Sequence, residues 1–255
     1  MIKRVDRGRS HWYVDTDTGE KVPGVTSING ENGGLPMPAL TGWAGNSTAE
    51  YAIDNWDDLG QLSVSERLNT LKKARYEKRD AAANRGTEVH KLAEKLAHGQ
   101  DVEVPEELVG HVDACIKFLD DWNMQPIVTE VTVVNYRHHY AGTLDAVADL
   151  ADGERWLLDW KTNLKGPYGD TAFQLAAYRY AERYRIDNRS TEQPMIPVDR
   201  CGVVWLRADG YDLHPYQADE RVFRQFLYIA QVAIAVNDAD SYKLPALTAP
   251  TQEAA

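Results

Sequence analysis

The chain has 255 residues, 43% hydrophobic and 26% charged, with 39 acidic residues against 28 Lys and Arg and a formal net charge of −11. That length supports one well-buried core, so a single domain over residues 1–247 is expected, with a disordered tail at 248–255. An average field this negative argues against a nonspecific polyanion binder.

No apolar run approaches the roughly 20 residues needed to span a bilayer, and no apolar core follows the basic residues after Met1, so neither membrane anchoring nor a secretion signal is expected. Cys115 and Cys201 are too few for a disulfide framework or a four-cysteine iron–sulfur or zinc site, which points to a reducing compartment.

In chain order, residues 10–28 read as a hairpin turning at Asp15 to Gly19, and the Gly/Pro-rich stretch from Asn29 to Pro38 as a loop. Helical patterns follow at about 38–57, 64–83 and 86–98, the last closed by Gly99. Pro105 opens another helix, 106–122, with Leu108, Val112, Cys115, Ile116 and Leu119 on its apolar side. From Pro126 the character becomes β-rich, with strands at 127–136, 139–150 and, after the Asp152-Gly153 turn, 155–161. A helix is expected at 170–185, an exposed loop at 187–197, strands at 200–207 and 211–216, and a last helix at 218–236. The order predicts an α/β (α+β) fold with a central mixed sheet flanked by helices, preceded by a mainly helical part over 1–125.

Charge is unevenly spread. Residues 66–91 carry eight Lys/Arg against four acids, a local +4, whereas 101–121 carry seven acids and one lysine, a local −6. Trp43, Trp56 and Tyr76 fall in or near the basic part. Such aromatics can stack on unpaired bases, although helix packing is their commoner use.

The chemistry concentrates between residues 142 and 178. Gly142, Thr143, Leu144 and Asp145 end one apolar strand, and Asp159 and Lys161 lie two apart on the next. Strand side chains alternate, so Asp159 and Lys161 share a face while Trp156, Leu158 and Trp160 take the other. Two acids and an ammonium gathered in this way suit a divalent cation that activates water against a phosphodiester. Gln174 and Tyr178, spaced i, i+4, share a helix face. His90 sits at the edge of the stripe Val89, Leu92, Ala93, Leu96 and Ala97, with Glu94 one turn on. Taken alone, a histidine there more often completes a core than binds a ligand. His98, His111 and His214 lack partners at ligand spacing, and Cys115 reads as a buried thiol.

Four pieces in order (Gly86 to His90, Gly142 to Asp145, Asp159 to Lys161, and Gln174 to Tyr178) resemble the PD-(D/E)XK phosphodiesterase superfamily, in its RecB-type branch that includes lambda-type phage exonucleases. Gly24 to Ile28 resembles the N-terminal Ser/Thr element of phage members. The resemblance implies a restriction-endonuclease-like core. It also implies one or two Mg²⁺ or Mn²⁺ ions, held by His90, Asp145, Asp159 and the backbone carbonyl of Trp160, with no iron–sulfur cluster. Lys161 would orient or deprotonate the attacking water, and Gln174 and Tyr178 would steady the scissile phosphate. Glu94 and Glu130 would stand behind the ligands. Thr26, Ser27, Lys72, Lys73, Arg75, Arg79 and Arg85 would contact DNA.

The expectation is therefore a metal-dependent DNA nuclease, an exonuclease of phage-type recombination or repair, acting in the cytoplasm of a bacterial cell or phage-infected host. A single-strand annealing or recombination protein is its expected protein partner, and related exonucleases can form rings. The absence of a GxxxxGK[ST] loop assigns any motor to another chain. Two alternatives belong to other classes: a catalytically silent DNA-binding or scaffolding protein on the same fold, and an unrelated hydrolase of small phosphoesters.

Overall fold

A computed structural model describes residues 1–8, 10–30, 33–35 and 38–247, except for the side chains of residues 38–41, 77–79, 81 and 82. The expected tail at 248–255 and the Arg79 side chain lie outside the described residues.

The central sheet has seven strands: β4 (Gln125–Asn135), β5 (Tyr140–Asp149), β6 (Arg155–Lys161), β7 (Arg183–Arg185), β8 (Gln193–Pro194), β9 (Arg200–Arg207) and β10 (Gly210–Tyr216). Their spatial order is β10-β9-β6-β5-β4-β7-β8. Only β6 and β9 run parallel, with Asp159 beside Val203, and the sheet is therefore mixed. A smaller sheet joins β1 (Ile2–Arg7), β2 (Ser10–Asp15) and β3 (Lys21–Val22), and packs Ile2, Tyr13 and Val22 against Val134 and Ala141.

Helices cover both faces of the large sheet because its strands are apolar on both sides. On one face α4 (Val64–Ala97) and α5 (Val109–Asp121) bring Val89, Ala93, Cys115 and Phe118 onto Trp156, Leu158 and Trp160. On the other, α1 (Val25–Ile28), α6 (Thr171–Arg179) and α7 (Glu220–Asp238) cover Leu144, Val147, Leu157 and Val203. Asp219 caps α7 by accepting from the Val222 N–H at 3.0 Å, and Phe223 and Phe226 then enter the core.

Several expected boundaries move. β1 was not foreseen, and the segment after β3 forms the single helical turn α1. The helix expected at 38–57 divides at Asn55 into α2 (Pro38–Asp54) and α3 (Trp56–Gln61). The helices expected at 64–83 and 86–98 are one 34-residue rod, about 50 Å long at 1.5 Å per residue. It begins in a capping box between Ser63 and Glu66 and runs unbroken through Gly86. The helix expected at 106–122 opens with a 3₁₀ turn and is α-helical from Val109. The helix expected to reach Arg185 stops at Arg179, because β4 takes the next residues as a partner. The Glu182 N–H donates to the Val134 carbonyl at 2.9 Å, and Thr132 to Val134 pair with Arg185 to Arg183. The loop at 187–197 contributes the short strand β8. Trp56 is 72% exposed, whereas Tyr76, at 38%, is mostly covered. Among the described residues no helix is long and apolar enough to cross a membrane.

Both cysteines are deeply buried, and burial pushes the Cys115 thiol up to about 12 and the Cys201 thiol to about 11. A thiol held this far above neutrality presents almost no thiolate. Native protein is therefore expected to show no reaction with a disulfide reagent at pH 8 over minutes, and two equivalents on denaturation. Fast titration of either thiol in the native state would contradict this packing.

Candidate metal centre

The site forms where the ladder between β5 and β6 stops. Paired residues run from Asp149–Arg155 to Ala146–Leu158 and go no further. Beyond that point the Trp160 N–H, which a strand carbonyl would otherwise receive, donates to Asp145 Oδ2 at 2.8 Å. The N–H and C=O of one strand residue point to the same neighbour, so the Trp160 carbonyl also faces the Asp145 side.

Asp145 is reached from across the sheet by α4. His90 Nδ1 lies 3.4 Å from Asp145 Oδ2, one helical turn after Gly86. Gly86 itself passes close to the start of the chain after β6, where a Cβ would lie 3.5 Å from Thr162 Oγ1.

Glu130 completes the group. Among the described residues, ligand atoms of His90, Glu130 and Asp145 all lie within 4.8 Å of one another. Donors around a single hard cation stand about 3 to 4 Å apart, so the three atoms would draw in slightly to share one ion. One imidazole and two carboxylates suit Mg²⁺ or Mn²⁺. Asp159 is not in that group. Its Oδ1 accepts from Gln174 Nε2 at 2.7 Å, and its Oδ2 lies 2.7 Å from the Lys161 ammonium. Of the expected trio, His90 and Asp145 stand together; Glu130, expected behind the ligands, lies in the same group, and Asp159 pairs with Lys161 and Gln174 beside it.

The electrostatics follow from burial. Burial works to lower the His90 pKa, but the facing Asp145 carboxylate outweighs it and holds the imidazole up at about 9. Burial would raise Asp145, yet His90 keeps its carboxyl below the ordinary value. Asp159 is raised by burial despite the neighbouring Lys161. Lys161 resists the opposite pull of burial through Asp159 and Asp145 and sits above its ordinary value. Burial, and then the Asp145 charge, lift Glu130 to about 7.

Gln174 and Tyr178 meet as their spacing implies. Gln174 Nε2 is 3.3 Å from the Tyr178 hydroxyl. Tyr178 is only 1% exposed, and its hydroxyl accepts from Gln174. Its ring lies over Gly142, where a Cβ would come within 2.5 Å of Tyr178 Cε1 and 3.2 Å of Val25 Cγ2. The glycine of the Gly142 to Asp145 motif is therefore a packing requirement.

The residues expected to contact DNA lie on α1 and α4. Thr26 and Ser27 are exposed on α1, and Lys72 and Lys73 on α4. Arg75 and Arg85 are half-buried, and the Arg75 guanidinium lies 4.6 Å from the Tyr76 ring centre. Arg67, part of the same basic run, is committed to the fold, donating to the Leu59 carbonyl at 2.8 Å.

Two outcomes test this geometry. Gly142→Ala is expected to cost about 1–3 kcal/mol in denaturant unfolding through overpacking against Tyr178. An unchanged midpoint would mean that the ring does not lie there. The second concerns Glu130 in chelator-treated protein. Its folded-state carboxyl titrates near 7, above the ordinary value of 4.5. The unfolded chain therefore loses this proton first, and between those two values stability falls as pH rises. Glu130→Gln should raise Tm at pH 8 and leave it nearly unchanged at pH 4. Equal shifts at both pH values would exclude a crowded carboxylate.

No family model matches the chain, and no curated protein matches it. Among solved structures, the crystal structure of SSO0001 matches at 16% identity with a TM-score of 0.31. The match covers 52% of this chain and 62% of that one, less than two thirds of its length. A likeness of that size carries no argument about fold or function.

Proposed function

We propose that the chain is a divalent-metal-dependent deoxyribonuclease, an exonuclease of the kind used in phage-type recombination or repair. The observation that carries this reading is the gathering of His90, Glu130 and Asp145 beside the Asp159–Lys161 pair, at a point where the sheet opens. The four ordered motifs that resemble the RecB-type branch add to it.

A divalent cation held by His90, Glu130 and Asp145, with the Trp160 carbonyl facing the same space, would neutralise phosphate charge and make a neighbouring water more acidic. The remaining work falls to the chain's own groups. Lys161 stays protonated, so it donates hydrogen bonds to an attacking water or a phosphate oxygen instead of removing a proton. Asp159 Oδ2, whose proton affinity burial raises, is the neighbouring acceptor for the proton that such a water gives up. Gln174 holds Asp159 from the other side through its amide nitrogen, and its own carbonyl remains to accept.

Purified protein with Mn²⁺ or Mg²⁺ should release nucleotides from end-labelled linear DNA, and EDTA should stop the release. Asp159→Ala and Lys161→Ala should each bring release down to the no-enzyme level with an unchanged circular dichroism spectrum. His90→Ala and Asp145→Asn should weaken Mn²⁺ binding by calorimetry at least about tenfold. Undiminished release in the Asp159 or Lys161 variant overturns the reading. Mn²⁺ binding with no release from any DNA would leave a silent DNA-binding protein.

A further inference from the structure

The chain leaving β6 carries an unusual surface. Between Asp159 and Asp170 it holds two lysines, of which Lys161 is paired with Asp159 and Lys165 is exposed. Leu164 is 88% exposed and Tyr168 56%, with Lys165 exposed between them. Large apolar side chains on a slack loop can fold back onto the protein, but these cannot, because the backbone that bears them is pinned. Trp205 Nε1 donates to the Asn163 carbonyl at 2.8 Å, and the Tyr216 hydroxyl donates to the Tyr168 carbonyl at 2.9 Å. The Thr171 N–H donates to that same carbonyl at 3.1 Å, and Asn163 Nδ2 donates to the Gly166 carbonyl. Gly166 makes the bend at φ +84°, lying on the Trp205 ring, a backbone state that a side chain would disfavour.

The pinned loop therefore presents a leucine, a lysine and a tyrosine to solvent, starting three residues after Lys161. On its inner side Thr162 faces Gly86, one turn before His90. The loop is thus continuous with the candidate metal centre, and the exposed Lys165, unlike Lys161, which Asp159 holds, offers a cation to a phosphate. An apolar-aromatic pair beside a cation matches a nucleotide: the base offers a flat π-face, and its phosphate offers the charge.

We propose that Leu164 and Tyr168 form a stacking platform for the base next to the scissile phosphate, with Lys165 on the adjoining phosphate. Platform and centre together would select an unpaired or frayed strand end, because a base locked in a duplex has no free face to offer. This inference rests on the nuclease reading for its substrate, but stacking is measurable without turnover.

An oligonucleotide with 2-aminopurine near its end, mixed with the full chain in Ca²⁺ and no Mg²⁺ or Mn²⁺, reports stacking as quenched fluorescence. Wild type should quench it. Leu164→Ala/Tyr168→Ala should lose the quench and bind about tenfold more weakly, the loss expected for one stacked base. Leu164→Met/Tyr168→Phe should keep both properties. Equal quenching by the alanine pair, or no quenching by wild type, overturns the platform. Quenching without nucleotide release in Mn²⁺ would instead sink the nuclease reading and leave the platform standing.

Discussion

One hydrogen bond organises the site: the 2.8 Å contact from the Trp160 N–H to Asp145 Oδ2. A carboxylate here replaces a strand carbonyl as the acceptor for a buried backbone donor. That substitution lets β5 and β6 part without orphaning the N–H, which would cost about 1–3 kcal/mol. It also fixes the carboxylate in place, so that His90 meets it at 3.4 Å without either group having to search. The opening in the sheet and the carboxylate that lines it are consequences of the same bond.

A second constraint is written into the neighbouring strand. Glu130 adopts φ +49°, a left-handed state that costs a non-glycine residue about 1–2 kcal/mol in a region of extended chain. Across from it the pairing skips, from Thr129–Ala146 to Val131–Leu144, with Glu130 and Asp145 in the gap. Both strands break their alternation at this step. Val128 and Val131 enter the same core, as do Leu144 and Val147, although each pair is an odd number of residues apart. Thr129 Oγ1 meets His98 Nε2 at 2.9 Å on the α4 side. Glu130 and Asp145 are thereby turned toward the helix that carries His90. Strain of this kind persists only where the surroundings over-determine it, and the buried valines on either side do so here.

These two features explain what the sequence disclosed. The pairings of Asp159 with Lys161 and of Gln174 with Tyr178 were legible because they rest on local periods, two along a strand and four along a helix; the Gln174–Asp159 contact that joins them was not. The strands at 155–161 and 200–207 lie where their patterns put them, since short apolar runs bounded by turns have little freedom. The turn at Glu130 was hidden because regular alternation gives no hint of a left-handed residue in mid-strand, and only β5 lying alongside makes sense of it. The unbroken α4 was hidden by Gly86, which reads as a helix start but costs a long packed helix only about 1 kcal/mol. Arg183 to Arg185 look helical from their own residues and become a strand because β4 has an edge to fill.

The charge count of the cluster gives a reason for so costly an arrangement. Glu130, Asp145 and Asp159 set three potential negative charges against the Lys161 ammonium and, at neutral pH, a His90 imidazolium. Buried carboxylates tolerate such crowding by sharing protons, which is what the raised Glu130 and Asp159 amount to. With His90 neutral, three carboxylates and one ammonium leave two uncompensated negative charges. A divalent cation would supply that balance, whereas a water-filled cavity would not. Held protons and a strained strand are then two expressions of one fact: the fold crowds together carboxylates that hydrophobic packing alone would never select.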